Sequence, residues 1–503
     1  MRAVSDQKLN KIEGIKAEKD PFDIAKEIAR FASEGWEAIP DDDKERLKWR
    51  GVFFRKQTPG HFMMRLRSSN GLMNSEQFRV IARISDEFGP GHVDITTRQQ
   101  IQLRGVAIDR VEDIWRSLED VGLHSRQTGM DNVRGVMGCP AAGLTPKELF
   151  DASAVVRQFD EIIVGNREFT NLPRKFNVTI TGCCENCTHG EAQDISLTPA
   201  FKEMGGEKIK GFNVAVGGKM GSGGYTVATP LDVFVLPEEA AELCANITRV
   251  FRDNGSRGNR KKNRLAFLIQ EWGAEKFRTE LENRTGSPLV TAGEDARDKK
   301  AKNPHVGIFR QKEAGLNYAG LVVPVGRITS RQLSEAARLA DDYGSGDIRL
   351  TPSQNIIIAG IPDARVGDFT QEPLLKELRY DPPEVIRGMV SCTGIDYCHF
   401  ATIETKEHAI ELGKQLENQV GQTLPVTIHW SGCPNACGNH AAADIGLLGK
   451  KARRGKEVVD AVDVFLKGKT GPDSKVPQRL LENVPCDELP ELLSRVVPYI
   501  TRK

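Results

Sequence analysis

No apolar run in these 503 residues approaches the roughly 20 residues that a membrane-spanning helix needs. No membrane association is expected. An excess of one charge is missing too. Seventy basic residues nearly balance 69 acidic ones, which argues against a dedicated nucleic-acid binder. The opening segment, MRAVSDQKLNKIEGIKAEKD, is charged and lacks the apolar stretch of a secretory signal. Without an export signal, ten cysteines point to a reducing compartment and to ligand duty, not to a disulfide framework. A cytoplasmic location is expected. A phosphate-binding P-loop is absent as well: in GGKMGSGGY (217–225) the lysine is not followed by Ser or Thr at the required spacing. No flavin or nicotinamide segment is evident.

What is present is a globular composition, 39% hydrophobic and 28% charged, at a length that predicts two to four domains. The most informative residues are four cysteines near the end, Cys392 and Cys398 in SCTGIDYCHF and Cys433 and Cys437 in HWSGCPNACGNH. Four thiolates gathered in this way hold a metal centre. Structural zinc sites use cysteine pairs two to four residues apart. The C-x5-C spacing fits that poorly and fits an iron–sulfur cluster better, with zinc or unligated thiols as the alternatives.

The chain also repeats itself. At an offset of 255, residues 71–105 match 326–360: Gly71, Ser75, Gln77, Asp86, Gly89, Gly91, Thr96, Gln99, Ile101 and Gly105 recur as Gly326, Ser330, Gln332, Asp341, Gly344, Gly346, Thr351, Gln354, Ile356 and Gly360. Each copy reads as helix, glycine turn and strand, with Ser75 as the N-cap and Phe78, Ile81 and Phe88 near one stripe. A second segment repeats at slightly smaller offsets. Arg134 and Cys139 match Arg387 and Cys392, and Cys183, Cys187 and Asp194 match Cys433, Cys437 and Asp444. Two copies of a two-part module predict pseudo-twofold symmetry with a site between the copies. The turn-rich stretch from Gly286 to Pro304 reads as the linker.

These segments resemble the siroheme-dependent sulfite and nitrite reductases. CTGIDYCHFATIETK, SGCPNACGNH, GHFMMRLRSSNG, DITTRQQIQLRGV, GMDNVRG, NLPRKFN and GFNVAVGG each match a family segment, in family order. The resemblance implies an α+β fold with α/β-type domains, internally duplicated and pseudo-twofold, in which two ferredoxin-like half-domains pair. The expected division is a helical extension over 1–56, half-domains at 57–125 and 305–380, siroheme and substrate domains at 126–285 and 381–503, and a linker at 286–304. It further implies a 4Fe–4S cluster on Cys392, Cys398, Cys433 and Cys437, with Cys437 shared with the siroheme iron.

Substrate and cofactor residues follow from the same resemblance combined with the differences between copies. Reading Asp94–Val106 as one strand puts Thr96, Arg98, Gln100, Gln102 and Arg104 on a single face. The second copy has no arginine at these positions and offers Gln354 and Asn355 nearby. A polar face turned to water explains this alternation. So does a face that holds the carboxylates of siroheme, for which arginine's fork is suited. In NLPRKFNVTITG, a strand places Lys175 and Asn177 on one side, roughly 7 Å apart. The family lysine contacts substrate. Sulfite reductases resemble Lys-x-Lys there and ferredoxin-dependent nitrite reductases Lys-x-Asn, and this chain has Asn177. Arg65 and Arg134 complete the implied pocket. The implied reaction is six-electron reduction of nitrite to ammonia by a monomer, with electrons from reduced ferredoxin or flavodoxin. The alternatives are sulfite reduction on the same architecture, a cobalamin-pathway monooxygenase of the superfamily, and a non-catalytic cluster- or tetrapyrrole-binding protein.

Weaker features remain. The basic run Arg249–Arg264 suits siroheme carboxylates, an acidic donor or solvent. Cys244 and Cys486 read as packing thiols, and Met63 and Met64 as core. Cys139, Cys183 and Cys187 fill three of four cluster positions in the first copy. The fourth is Thr145, and Cys184 adjoins Cys183 awkwardly, so this copy is expected to bind no metal.

Overall fold

The two helices of the repeated segment, Ser75–Phe88 and Ser330–Tyr343, are each closed at the N-terminus by a capping box. The caps are Asn74 with Gln77 and Thr329 with Gln332, worth about 1 kcal/mol each. The cap therefore falls one residue before Ser75. Phe78 and Ile81 are buried, and the two helices pack on one another across the pseudo-twofold axis. The computed structural model describes residues 9–221, 224–299, 303–421 and 423–501. The first eight residues, Ser222 and Gly223 of GGKMGSGGY, and 300–302 of the expected linker lie outside the described residues.

Each half-domain sheet is completed by the other copy. Strand Leu72–Asn74 pairs with Asp347–Leu350 of the second copy, and Arg327–Thr329 pairs with His92–Ile95 of the first. Both sheets have five strands in the same spatial order. The exchange is reciprocal to the level of single bonds. The Ser75 N–H donates to the Gly346 carbonyl at 2.9 Å and the Ser330 N–H to that of Gly91 at 3.0 Å. Gln99 Nε2 donates to the Leu350 carbonyl at 3.0 Å and Gln354 Nε2 to that of Ile95 at 2.9 Å.

One expectation is corrected here. Asp94–Val106 is not one strand but a hairpin, His92–Ile95 and Ile101–Ala107, in register as Val93↔Leu103 and Ile95↔Ile101. Thr96 Oγ1 accepts from the Arg98 and Gln100 N–H groups, and Gln99 turns the chain with φ +55°. Alternating β-branched residues hid a turn that a threonine side chain closes.

The two larger domains repeat a mixed sheet. Val133–Met137, Phe176–Ile180 and Ile195–Met204 run parallel, and Glu207–Val216 and Thr229–Val235 continue antiparallel. Met389–Ser391, Ile428–Ser431, Ile445–Arg454, Glu457–Leu466 and Gln478–Pro485 do the same in the second copy. In the linker, Glu294–Asp295 adds an edge strand to the first of these sheets. Three large apolar clusters underlie the half-domain pair and the two larger domains. Met63, Met64 and Cys244 are buried, the last in the core of the first large domain. Helical turns of the N-terminal segment end at Arg50, and Val52–Phe54 already pairs in the first sheet. Among the described residues no helix is long and apolar enough to cross a membrane.

Candidate active site

Cys392 follows strand Met389–Ser391, and Cys433 follows its parallel neighbour Ile428–Ser431. Their loops therefore leave the same end of the sheet. The loops lie so close that a Cβ on Gly438 would meet the Trp430 carbonyl at 1.8 Å. The Gly432 N–H donates to Cys392 Sγ at 3.1 Å, and the Thr405 hydroxyl lies 3.6 Å from the same sulfur. Hydrogen bonds of this kind tune a thiolate ligand. Burial pushes the Cys433 thiol up to about 12 and that of Cys392 upward as well, so ligation must drive off these protons. Cys437 is the exposed member of the four. Among the described residues no three of these cysteines have their sulfurs all within 4.8 Å of one another. That spread suits a cluster, where each thiolate takes a different iron, better than a single zinc ion.

Opposite Cys437 the first copy presents cations. Arg65 ends strand His61–Arg65, Arg98 sits on the hairpin tip, Arg134 lies in Val133–Met137, and Lys175 precedes Phe176–Ile180. The last two strands are parallel neighbours paired as Val133↔Phe176, which brings Arg134 and Lys175 together. Burial, then the charges of Arg264, Arg98 and Arg134, hold Lys175 well below the usual lysine value, while the Cys437 sulfur opposes them. Burial and neighbouring Arg98 and Arg55 pull Arg65 down to about 9. Burial and Arg65 lower Arg134 strongly. A guanidinium keeps its proton in proteins, so the cost is expressed as demand for an anion.

The structure supplies no such anion from its own residues. Among the described residues, Arg65, Arg98, Arg134 and Lys175 form no ion pair with a carboxylate; Arg65 and Arg134 donate only to the Thr128 and Met130 carbonyls. The buried Asn177 Oδ1 and both amide atoms of Asn263 have no partner. These are the marks of a site made for a polyanionic guest, and the residues fit a tetrapyrrole carrying carboxylates. The walls come from both copies: Arg98 and Asn177 from the first line the same cleft as Ala436 and Asn439 from the second. Thr97 Oγ1 donates to the Cys437 carbonyl at 3.0 Å. Gly221 of GGKMGSGGY approaches so closely that a Cβ there would lie 2.4 Å from the Asn435 carbonyl.

The other predicted cofactor residues are placed differently. Arg104 is buried against Asp94 at 2.6 Å and also donates to Gln102 and Thr393. Thr96 caps the turn, and Gln100 Nε2 donates to the Arg134 carbonyl at 3.1 Å. Gln354 latches the copies, and Asn355 Oδ1 accepts the Val323 N–H. Of the alternating set, only Arg98 is left unpaired at the cleft. Asp94 ties the hairpin to the cluster loop. Burial alone would raise its carboxyl, but Lys406, Arg104 and Arg327 hold it far below the usual range. The basic run is mostly structural: Arg249 pairs with Glu168, Arg257 with Glu13, Arg260 with Asp131 and Arg264 with Asp194. Sequence reasoning missed Arg55, whose Nε is buried without a partner and whose charge faces Cys398 and Cys437. Its counterpart at the same offset is Arg310, so a search for residues confined to one copy passes over it.

Comparison with known proteins fits this geometry. A family model described as "Nitrite and sulphite reductase 4Fe-4S domain" matches residues 129–289 and 384–499. A second, "Nitrite/Sulfite reductase ferredoxin-like half domain", matches 54–121 and 309–375. The chain belongs to the nitrite and sulphite reductase family. It is 45% identical to a ferredoxin–nitrite reductase of Synechococcus elongatus, over 98% of this chain and 96% of that protein. It is 41% identical to a chloroplastic ferredoxin–nitrite reductase of Zea mays, over 96% and 87%. Among solved structures, that of the Mycobacterium tuberculosis NirA protein superposes with a TM-score of 0.91 at 31% identity, covering 98% of this chain and 93% of that one. All four C-terminal cysteines lie within a matched 4Fe–4S domain. An iron–sulfur cluster is therefore the metal centre that the family implies.

Proposed function

We propose that this chain reduces nitrite to ammonia, a six-electron reaction, with electrons from reduced ferredoxin. The observation that carries the proposal is the unpaired cation set Arg65, Arg98, Arg134 and Lys175 beside the exposed Cys437. Cys392, Cys398, Cys433 and Cys437 are assigned to the cluster, and Arg98 with Arg55 and Asn263 to the carboxylates of siroheme. When bound, siroheme supplies the iron that takes nitrite, and the cluster supplies electrons through Cys437.

The remaining work falls to this chain's residues. Arg65 and Arg134 hold the anion by fixed charge in a partly dry pocket, which favours charge that grows on the nitrite oxygens as they are lost. The Lys175 ammonium donates protons, and its lowered proton affinity makes it a better acid than an exposed lysine. Asn177 offers a neutral amide where a second lysine would add charge, which suits a monoanion better than the sulfite dianion. The identities of the relatives support the same choice. The donor is assigned to the surface around Cys398, where Phe400 is 57% exposed and the charges of Arg55, Lys48 and Lys56 reach the neighbouring His399. An acidic protein suits that surface.

Anaerobic assays with reduced ferredoxin test the proposal. Ammonia should appear from nitrite with a kcat/KM above that for sulfide from sulfite. A preference for sulfite would reverse the assignment, and a protein lacking a siroheme spectrum after loading would remove it.

A further inference from the structure

The first copy, expected to be metal-free, holds a second ligand set. Cys139, Cys187 and His305 are all buried, and their ligating atoms lie within 4.8 Å of one another. Among the described residues no other group of three His, Cys, Asp or Glu residues is so tight. Cys139 Sγ is 3.7 Å from His305 Nε2. Cys183, 1% exposed, lies beside them, and its sulfur interacts with those of Cys139 and Cys187. Sequence spacing points at the wrong fourth ligand. The offset gives Thr145, whereas the chain brings His305 in from just past the linker, 166 residues beyond Cys139.

We infer that Cys139, Cys183, Cys187 and His305 form a closed zinc site, three thiolates and one imidazole, that staples the linker to the first large domain. The distances within Cys139, Cys187 and His305 decide the metal, and Cys183, which lies more than 4.8 Å from at least one of these three ligating atoms, closes the site by a side-chain shift on binding. A tetrahedral zinc with bonds of about 2.3 Å to sulfur and 2.0 Å to nitrogen sets its ligand atoms about 3.5–3.8 Å apart. A cubane spreads its thiolates over separate irons and needs more room. A second shell is in place. His305 Nδ1 lies 3.3 Å from the Tyr318 hydroxyl, which fixes the ring so that Nε2 faces the sulfurs. The Glu185 N–H donates to Cys183 Sγ at 3.4 Å. Gly320 leaves room for the histidine backbone, since a Cβ there would meet the His305 carbonyl at 1.5 Å. Four protein ligands leave no open position, so the role is structural.

Elemental analysis of the full chain, purified from zinc-supplemented cells and dialysed against EDTA, tests this. One zinc and about five irons per chain are expected, the irons being one cluster plus one macrocycle iron. His305→Ala should fall below about a tenth of a zinc per chain, and His305→Cys should restore it as an all-thiolate site. Tyr318→Phe should keep zinc but release it to a colorimetric chelator about ten times faster. Circular dichroism confirms that each variant is folded, and Cys244→Ser serves as the thiol control. Three outcomes would overturn the inference: folded wild-type chain without zinc, zinc unchanged in a folded Cys139→Ser/Cys187→Ser double variant, or about nine irons and no zinc, which would mean a second cluster.

Discussion

The half-domain pair and the two larger domains were duplicated together but diverged differently. In the half-domains the repeat survives as reciprocal bonds: Gln99 to Leu350 and Gln354 to Ile95, Ser75 to Gly346 and Ser330 to Gly91. In the larger domains the frame survives and the chemistry does not. Asp194 accepts the Asn177 N–H at 2.8 Å, and Asp444 accepts that of Thr427 at 2.9 Å. Yet Lys175 and Asn177 face Pro425 and Thr427 at the same offset. Residues that hold two copies together must stay paired. Residues that face the cleft between copies are free to differ: the first copy keeps unpaired cations there, and the second keeps its four cysteines.

The sharpest break in this comparison is Cys437→Ser. Cluster and siroheme should disappear together from the visible spectrum, whereas Cys244→Ser should keep both. A normal siroheme spectrum in Cys437→Ser would end the assignment of a shared thiolate. Next is Lys175→Ala, which removes a proton donor from one copy only. Its kcat/KM for nitrite should fall about 10²- to 10⁴-fold with both cofactor spectra intact, and loss of cofactor instead would make Lys175 a binding residue.

Asp131→Asn attacks the frame. Burial would raise the Asp131 carboxyl, but Arg260 and Lys16 hold it below the usual range. Its contribution is therefore present above the unfolded value of about 3.9 and fades as pH falls below it. The variant should lose about 3–5 kcal/mol at neutral pH, where one partner of a buried pair is missing. The gap to wild type in denaturant titrations should narrow toward pH 3. A gap that stays constant with pH would show that the ion pair is not its source.

Asn177→Lys sharpens the comparison by making one position resemble the sulfite branch. One added charged hydrogen bond is worth about 1.5–3 kcal/mol, so the nitrite-to-sulfite ratio of kcat/KM should drop about ten- to a hundred-fold. An unchanged ratio would mean this position does not discriminate. The smallest effects test the symmetry itself. Gln99→Ala and Gln354→Ala should each cost about 1–3 kcal/mol, and unequal costs would show that the latches are no longer equivalent.

Much of this was legible in the sequence because the same residues appear twice. The paired half-domains, the loops that carry the second-copy cysteines and the strand beside Lys175 all carry either a repeat or a motif. What was illegible lay where a side chain does a backbone's work or a partner comes from far along the chain. Thr96 Oγ1 closes a turn inside what reads as a strand. Arg104 has the right alternation for a cofactor face but is consumed by Asp94. His305 has no counterpart to align with and joins the first-copy cysteines only because the linker returns past them.

The exchanged strands bear on how the chain is made. Arg327, whose strand covers the edge at Asp94, emerges from the ribosome 233 residues after it. At about 5–20 residues per second, that leaves the first sheet with an open edge for about 10–50 s. Strand Leu72–Asn74 waits still longer for Asp347–Leu350. A nascent first half therefore displays unpaired strand edges, the surface most prone to joining another chain. Slow, dilute expression is therefore expected to raise the yield of folded chain, and the cleft between the copies does not exist until the second half has arrived to build its far wall.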